Sequence, residues 1–186
     1  RLDEKIGSVG IAVDGVDVRV ARDDGSLADA YESGEVRVRG ANVMRGYWNN
    51  PEASAAVLRD GWLRTGDMGH LDADGYLYLA GRRSDMIKTG AHRVHPNDIE
   101  EAICEIPGVH EVAVVGIEDD ILGQVVKAFI VAPGLPPRSA TMIKAHCRER
   151  LASYKIPRDI EFVSALPRTA SGKVRRAALL EPQTTS

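Results

Sequence analysis

From about Ile6 to Arg39 apolar and polar residues alternate, as in VDVRVARDDGS and GEVRVRG, with Asp-Gly and Ser-Gly pairs between the runs. A period of two with that punctuation predicts antiparallel strands joined by tight turns. The stretch NNPEASAAVLRDG breaks the alternation. Pro51 stands near a helix start, Ala55, Val57 and Leu58 are its apolar positions, and Gly61 closes it, which predicts a short helix. LDADGYLYLAGR then returns to alternation and predicts a hairpin, with its turn at Asp74 and Gly75 feeding a strand of alternating Tyr and Leu.

Beyond Arg82 the texture changes, and helical and strand periods begin to alternate, so a domain boundary is expected at about Arg83 to Asp85, giving domains 1–83 and 84–186. HPNDIEEAICEIPGV predicts a helix opened by Pro96 and Asn97, with Ile99, Ala102, Ile103 and Ile106 at helical spacing and a stop at Pro107-Gly108. Two strands follow, EVAVVGI and QVVKAFIVA, separated by an acidic loop at Glu118-Asp119-Asp120. SATMIKAHCRERLASYKIP predicts a second helix with Ile143, Cys147 and Leu151 on one stripe, and IEFVSAL a last strand. The fold class is α+β.

Bulk properties narrow the function. With 186 residues, 44% hydrophobic and 27% charged, the chain has the composition of a folded globular protein. A net charge of -3 and a pI near 6.0 point away from nucleic acid and toward a small-molecule partner. Two cysteines, Cys104 and Cys147, lie far apart with no His or Cys at ligand spacing, which argues against a disulfide framework or a zinc site and fits a reducing cytoplasm. Cys147, on an apolar stripe, reads as core and not as nucleophile. The longest apolar run, Val112 to Ile117, is far too short for a transmembrane segment, and no charged-then-apolar leader opens the sequence. It begins at Arg1 and not Met, so it is expected to be a piece of a longer chain.

Three segments carry candidate chemistry. LPRTASGKVRR places Lys173 after Ser171-Gly172 in a run with Arg168, Arg175 and Arg176. It is not a phosphate-binding P-loop, because Pro167 stands where the first glycine belongs and Val174 where a hydroxyl is needed. What remains is an ammonium on a small-residue loop, a point charge suited to oxygens on which charge develops, or simply a solvated cation. In GWLRTGDMG, Asp67 sits between glycines, where its carboxylate can accept from a vicinal diol or satisfy its own turn. AGRRSDMIKTGAHRVHP groups Arg82, Arg83, Lys88, His92, Arg93 and His95 around Gly90. That is either a path for a phosphate-bearing ligand or a basic surface hairpin.

Taken in order, GEVRVRGANVMRGYWNNPEA, GWLRTGDMGHLDADGYLYLAGR, DMIKTGAHRVHPNDIEEAI, VAVVGIEDDILGQVVKAFIV and LPRTASGKVRR resemble the successive signature blocks of the acyl-adenylate-forming superfamily. That superfamily includes acyl-CoA synthetases, firefly luciferase and the adenylation domains of nonribosomal peptide synthetases. The resemblance runs from about Gly7 to Leu180, and its wording is that of the acyl-CoA synthetases. It implies a strand-rich barrel-like subdomain followed by a small mixed α/β C-terminal domain. The family's phosphate loop and acyl pocket would lie upstream, so the isolated piece is expected to be inactive.

The resemblance further implies a carboxylate:CoA ligase that uses ATP with Mg2+ to form an acyl-AMP, then CoA to form a thioester. Lys173 would be catalytic, Asp67 and Arg82 would bind the nucleotide, and Ser84 with Asp85 would be the hinge. Lys88, Gly90, Ala91, His92 and Arg93 would face the thiol and pantetheine tunnel. Many relatives have Asp or Lys where Ser84 stands, and the tunnel segment reads TGAHR where SGGEN is frequent. Two alternatives stay open: an enzyme that loads a carrier protein, and a noncatalytic binding module built from the same domain.

Overall fold

The computed structural model describes residues 5–136 and 139–181. The chain divides into two compact units, Arg1–Ser84 and Asp85–Ser186. In the first unit, β1 (Val16–Ala21), β2 (Gly34–Gly40), β3 (Leu58–Arg59), β4 (Trp62–Leu71) and β5 (Leu77–Arg82) form one antiparallel sheet in the order β1-β2-β4-β3, with β5 also paired to β4. The alternation of VDVRVA and GEVRVRG sends Val20 and Val36 inward, where they are buried with Ala21 and Met68. Register shifts at Glu35/Arg37 and at Met68/Gly69 kink β2 and β4 and add local twist.

The short helix is α1 (Pro51–Val57), started by Asn50, whose side-chain oxygen accepts from the Ala53 amide at 3.0 Å. Gly61 does not end it. The chain leaves at Leu58 directly into β3, and Asp60 and Gly61, both at positive φ, form the turn to β4. The β4–β5 connection is also wider than a two-residue Asp74-Gly75 turn. Asp72 closes it: its amide donates to the Tyr76 carbonyl and its carboxylate accepts from the Asp74 and Tyr76 amides, each at 2.9 Å.

In the second unit, β6 (Ile87–Thr89), β7 (His92–Val94), β8 (Glu111–Asp119), β9 (Gly123–Val131) and β10 (Asp159–Phe162) form a sheet in the order β10-β9-β6-β7, with β8 on β9. α2 (Pro96–Cys104) and α3 (Ser139–Arg150) complete it. β10 runs parallel to β9, which requires a crossover, and α3 supplies it. On one face Ile99, Ile103, Ile143 and Cys147 pack with Val114, Val126 and Ile130. On the other, Ala113, Val115 and Phe129 are covered by Leu166 and Leu179. Both faces of β8 are buried, which explains its unbroken apolar run. The acidic loop is shorter than the sequence suggests: Glu118 and Asp119 belong to β8, and the Asp119 carboxylate accepts from the Ile121 and Leu122 amides at 3.0 and 2.9 Å.

Candidate functional site

Leu166 and Leu179, both buried against the sheet, anchor the two ends of the segment that carries Lys173. Between them the chain folds back on itself through an Arg168–Val174 bridge. The Thr169 amide donates to the Lys173 carbonyl at 2.8 Å, and the Lys173 amide donates to the Thr169 hydroxyl at 3.1 Å. Arg168 clamps the outside, donating to the Gly172 carbonyl and to Glu111, each at 2.7 Å. Gly172 has φ 84, a left-handed position that a side chain would strain. The backbone is therefore braced while the Lys173 side chain stands exposed, its ammonium without an ion-pair partner among the described residues.

Arg176, in the same basic run, does different work. Its guanidinium reaches Asp85 at 3.1 Å and both Glu100 oxygens at 2.8 and 2.9 Å, and Glu100 in turn accepts from the Val114 amide at 2.8 Å. This clamp ties the lysine loop to α2, to β8 and to the first residue of the second unit. Composition alone could not separate Arg176 from its solvated neighbour Arg175, because both simply follow Lys173 in a basic run.

Asp67 lies inside strand β4 and not on a free turn. Directly across from it on β5 is Arg82, whose Nε is 3.0 Å from the Asp67 carboxylate and whose fork also donates to the Thr65 carbonyl at 3.0 Å. The Asp67 amide is held by the Thr65 hydroxyl at 3.0 Å. Asp67 and Arg82, separate motifs in the sequence, are thus one cross-strand pair with the second carboxylate oxygen left for another donor.

β6 and β7 form a hairpin around Gly90 and Ala91 in which Thr89 pairs with His92 and Lys88 with Arg93. The pairing splits the expected tunnel residues between two faces. Gly90, Ala91 and His92 line a largely apolar groove of about 390 Å³ with Leu122, Val125 and Tyr154. Lys88 and Arg93 share the opposite face of the hairpin. The His92 ring stacks on Tyr154 at 3.9 Å between centroids. The helical pattern of SATMIKAHCRERLASYKIP hides Tyr154 in the tail of the second helix, but α3 ends at Arg150 and Tyr154 sits in a 3-10 turn, Ser153–Lys155. Asp85 and Ser84 fall in the 3-10 turn Arg83–Asp85, where the two units meet in sequence.

Residues 98–173 match the model of the AMP-binding enzyme C-terminal domain. The chain is 44% identical over 181 residues, 97% of its length, to a long-chain-fatty-acid–CoA ligase of Bacillus subtilis (strain 168), of which it covers 32%. Residues 98–173 thus belong to the AMP-binding enzyme C-terminal domain family, and the chain is similar to CoA ligases over nearly its whole length. Another relative, indoleacetate–CoA ligase of Aromatoleum aromaticum, is 46% identical over 176 residues, covering 92% of this chain and 34% of that protein. Among solved structures, the o-succinylbenzoate CoA synthetase of Bacillus subtilis in complex with the acyl-adenylate intermediate OSB-AMP superposes with a TM-score of 0.91 at 40% identity, over 97% of this chain and 37% of that one. The chain spans about a third of the length of the curated relatives it matches.

Proposed function

We propose that this chain supplies the closing part of the active site of an ATP-dependent carboxylate:CoA ligase, as one portion of a longer enzyme. Residues 1–83 are then the last strand-rich subdomain of the large adenylating domain, and residues 84–186 the small mobile C-terminal domain. The enzyme joins a carboxylate to ATP, giving acyl-AMP and pyrophosphate, and a thiol then displaces AMP. Asp67 accepts from the ribose hydroxyls with Arg82 fixing its carboxylate, and Lys173 stabilises charge on the carboxylate and phosphate oxygens as they react. Rotation about Ser84 and Asp85 withdraws Lys173 and brings the groove beside Gly90 and His92 to the reacting centre, so that one centre is served by two sets of neighbours in turn.

The observation that carries this reading is the state of Lys173: an exposed ammonium with no ion-pair partner among the described residues, on a loop braced by its own backbone and by Arg168. A lysine kept for a solvated face needs no such bracing. The apolar groove suits the pantetheine arm common to CoA and carrier proteins, and the CoA ligases among the relatives favour CoA. Among the described residues no group of three or more His, Cys, Asp or Glu side chains could hold the Mg2+ that accompanies ATP, and its site would lie mostly in the upstream part of the enzyme. No helix among the described residues is long and apolar enough to cross a membrane, and the free thiols of Cys104 and Cys147 support a cytoplasmic setting.

The test is Lys173→Ala in the full-length enzyme. ATP-pyrophosphate exchange should fall by roughly 10²–10³-fold, the scale for removing one preorganised electrostatic contact. Conversion of supplied acyl-AMP and CoA to thioester should persist. Unchanged exchange would reduce the domain to a binding module, and thioester formation only on a carrier protein would replace CoA as acceptor.

A further inference from the structure

The sheet of the first unit carries a rung of arginines. Arg19 on β1 lies directly opposite Arg37 on β2, and Arg37 directly opposite Arg64 on β4. On the neighbouring pairs Arg39 faces Asp17, and Arg59 faces Trp62. Like charges placed directly opposite on an antiparallel pair are unfavourable, so three in a row call for an anion.

Protein carboxylates meet only part of that demand. Glu35 is 2.9 Å from Arg64 and 3.7 Å from Arg37, and Asp17 is 2.7 Å from Arg39. Of the acids nearby, Asp23 is held by Arg83 at 3.0 Å, and Asp24 is turned onto the Ser26 amide and hydroxyl at 2.9 and 2.7 Å. Arg19 has none of these as an ion-pair partner. It lies instead over the Trp62 ring, 3.8 Å from the centroid, and Arg39 approaches the same ring at 4.7 Å. Burial, and then the charges of Arg37 and Arg39, lower the pKa of Arg19 against the pull of Asp60. The Nε–H groups of Arg19 and Arg37 are shielded and have no acceptor.

A pocket of about 380 Å³ opens over these side chains, between Arg19, Arg37, Arg59 and Arg64, with Trp62 as its platform. We propose that this arginine rung binds a phosphate-class oxyanion carried by a small molecule, from pyrophosphate to a nucleoside diphosphate in size. Planar guanidinium forks match the oxygens of a phosphate, and stacking on Trp62 orients the Arg19 fork while leaving its edge available. Asp23, Asp24 and Asp60 line the same pocket, which favours a compact anion over an extended polyanion such as a nucleic acid. The site does not rest on the ligase reading, since none of its residues has a role there.

Calorimetric titration of the 186-residue chain at constant ionic strength tests this with two probes, sodium pyrophosphate and ADP. Saturable one-site binding is expected, weakened about tenfold or more by Arg19→Gln and by Arg59→Gln, each removing a charge-assisted contact. Arg59 is exposed, so its variant keeps the test sound if Arg19→Gln misfolds. Binding of pyrophosphate alone assigns the site to the free anion, and binding of ADP alone to a phosphate borne on a nucleoside. No saturable binding of either overturns the proposal. So does binding that both arginine variants leave unchanged, or that Lys173→Ala abolishes.

Discussion

Lys173 is positioned through its backbone, and its side chain has no ion-pair partner among the described residues. Asp67 is the reverse case, with its carboxylate committed on one oxygen to Arg82 at 3.0 Å. Because Arg82 is about half exposed, solvent screens that pair, and its contribution to stability is of order 0–1 kcal/mol. Asp67→Asn should therefore leave the denaturant midpoint of this chain almost unchanged. In the full-length enzyme the same substitution should raise the KM for ATP about tenfold, roughly the 1.4 kcal/mol by which a charged acceptor exceeds a neutral one. A fall in stability without a change in KM would make the pair structural. Neither role is visible from the motif alone, since Asp beside Gly reads equally well as a turn residue.

At the scale of elements, the start of α2 carries a titratable group with a cost. His95 is the N-cap, makes no side-chain cap hydrogen bond, and has a shielded Nδ1 without a partner. Burial is the main cause that lowers its pKa below the ordinary 6.5, and the nearby Lys155 charge adds to it against the pull of Asp98. The folded protein thus binds a proton at His95 less readily than the unfolded chain. That contribution to stability is full above pH 6.5 and is lost as pH falls through the lowered folded value. Thermal melts should show a decline in Tm as pH falls from about 7 toward 5, and His95→Gln should flatten it over that window. An unaltered slope in the variant would assign the decline to carboxylates. The helix itself was legible, because Pro96 and the spacing of Ile99, Ala102, Ile103 and Ile106 mark both its start and its buried face. The end of α1 was not, because Leu58 suits a short strand as well as a helix and only pairing with Leu63 decides between them.

For the whole molecule, each unit has its own buried apolar residues, and those of the second form two clusters, one on either face of its sheet. Residues 85–186 should therefore fold alone and melt cooperatively by circular dichroism. Ile143→Ala, at a position fully removed from solvent, should destabilise that fragment by about 2–5 kcal/mol. A non-cooperative melt of the unmutated fragment would make its core dependent on the rest of the chain. By itself the sequence determined the longer strands, the two longer helices, the core role of Cys147 and the resemblance to the acyl-adenylate-forming superfamily, because these follow from local period and from ordered motifs. Only the tertiary structure decided which side chains meet. It joined Asp67 to Arg82, turned Arg176 from a solvated charge into a clamp on Asp85 and Glu100, split Lys88 and Arg93 from His92, and aligned Arg19, Arg37 and Arg64 across three strands. Register and packing between distant segments set those contacts, and a one-residue slip of a strand would send every one of its side chains to the other face.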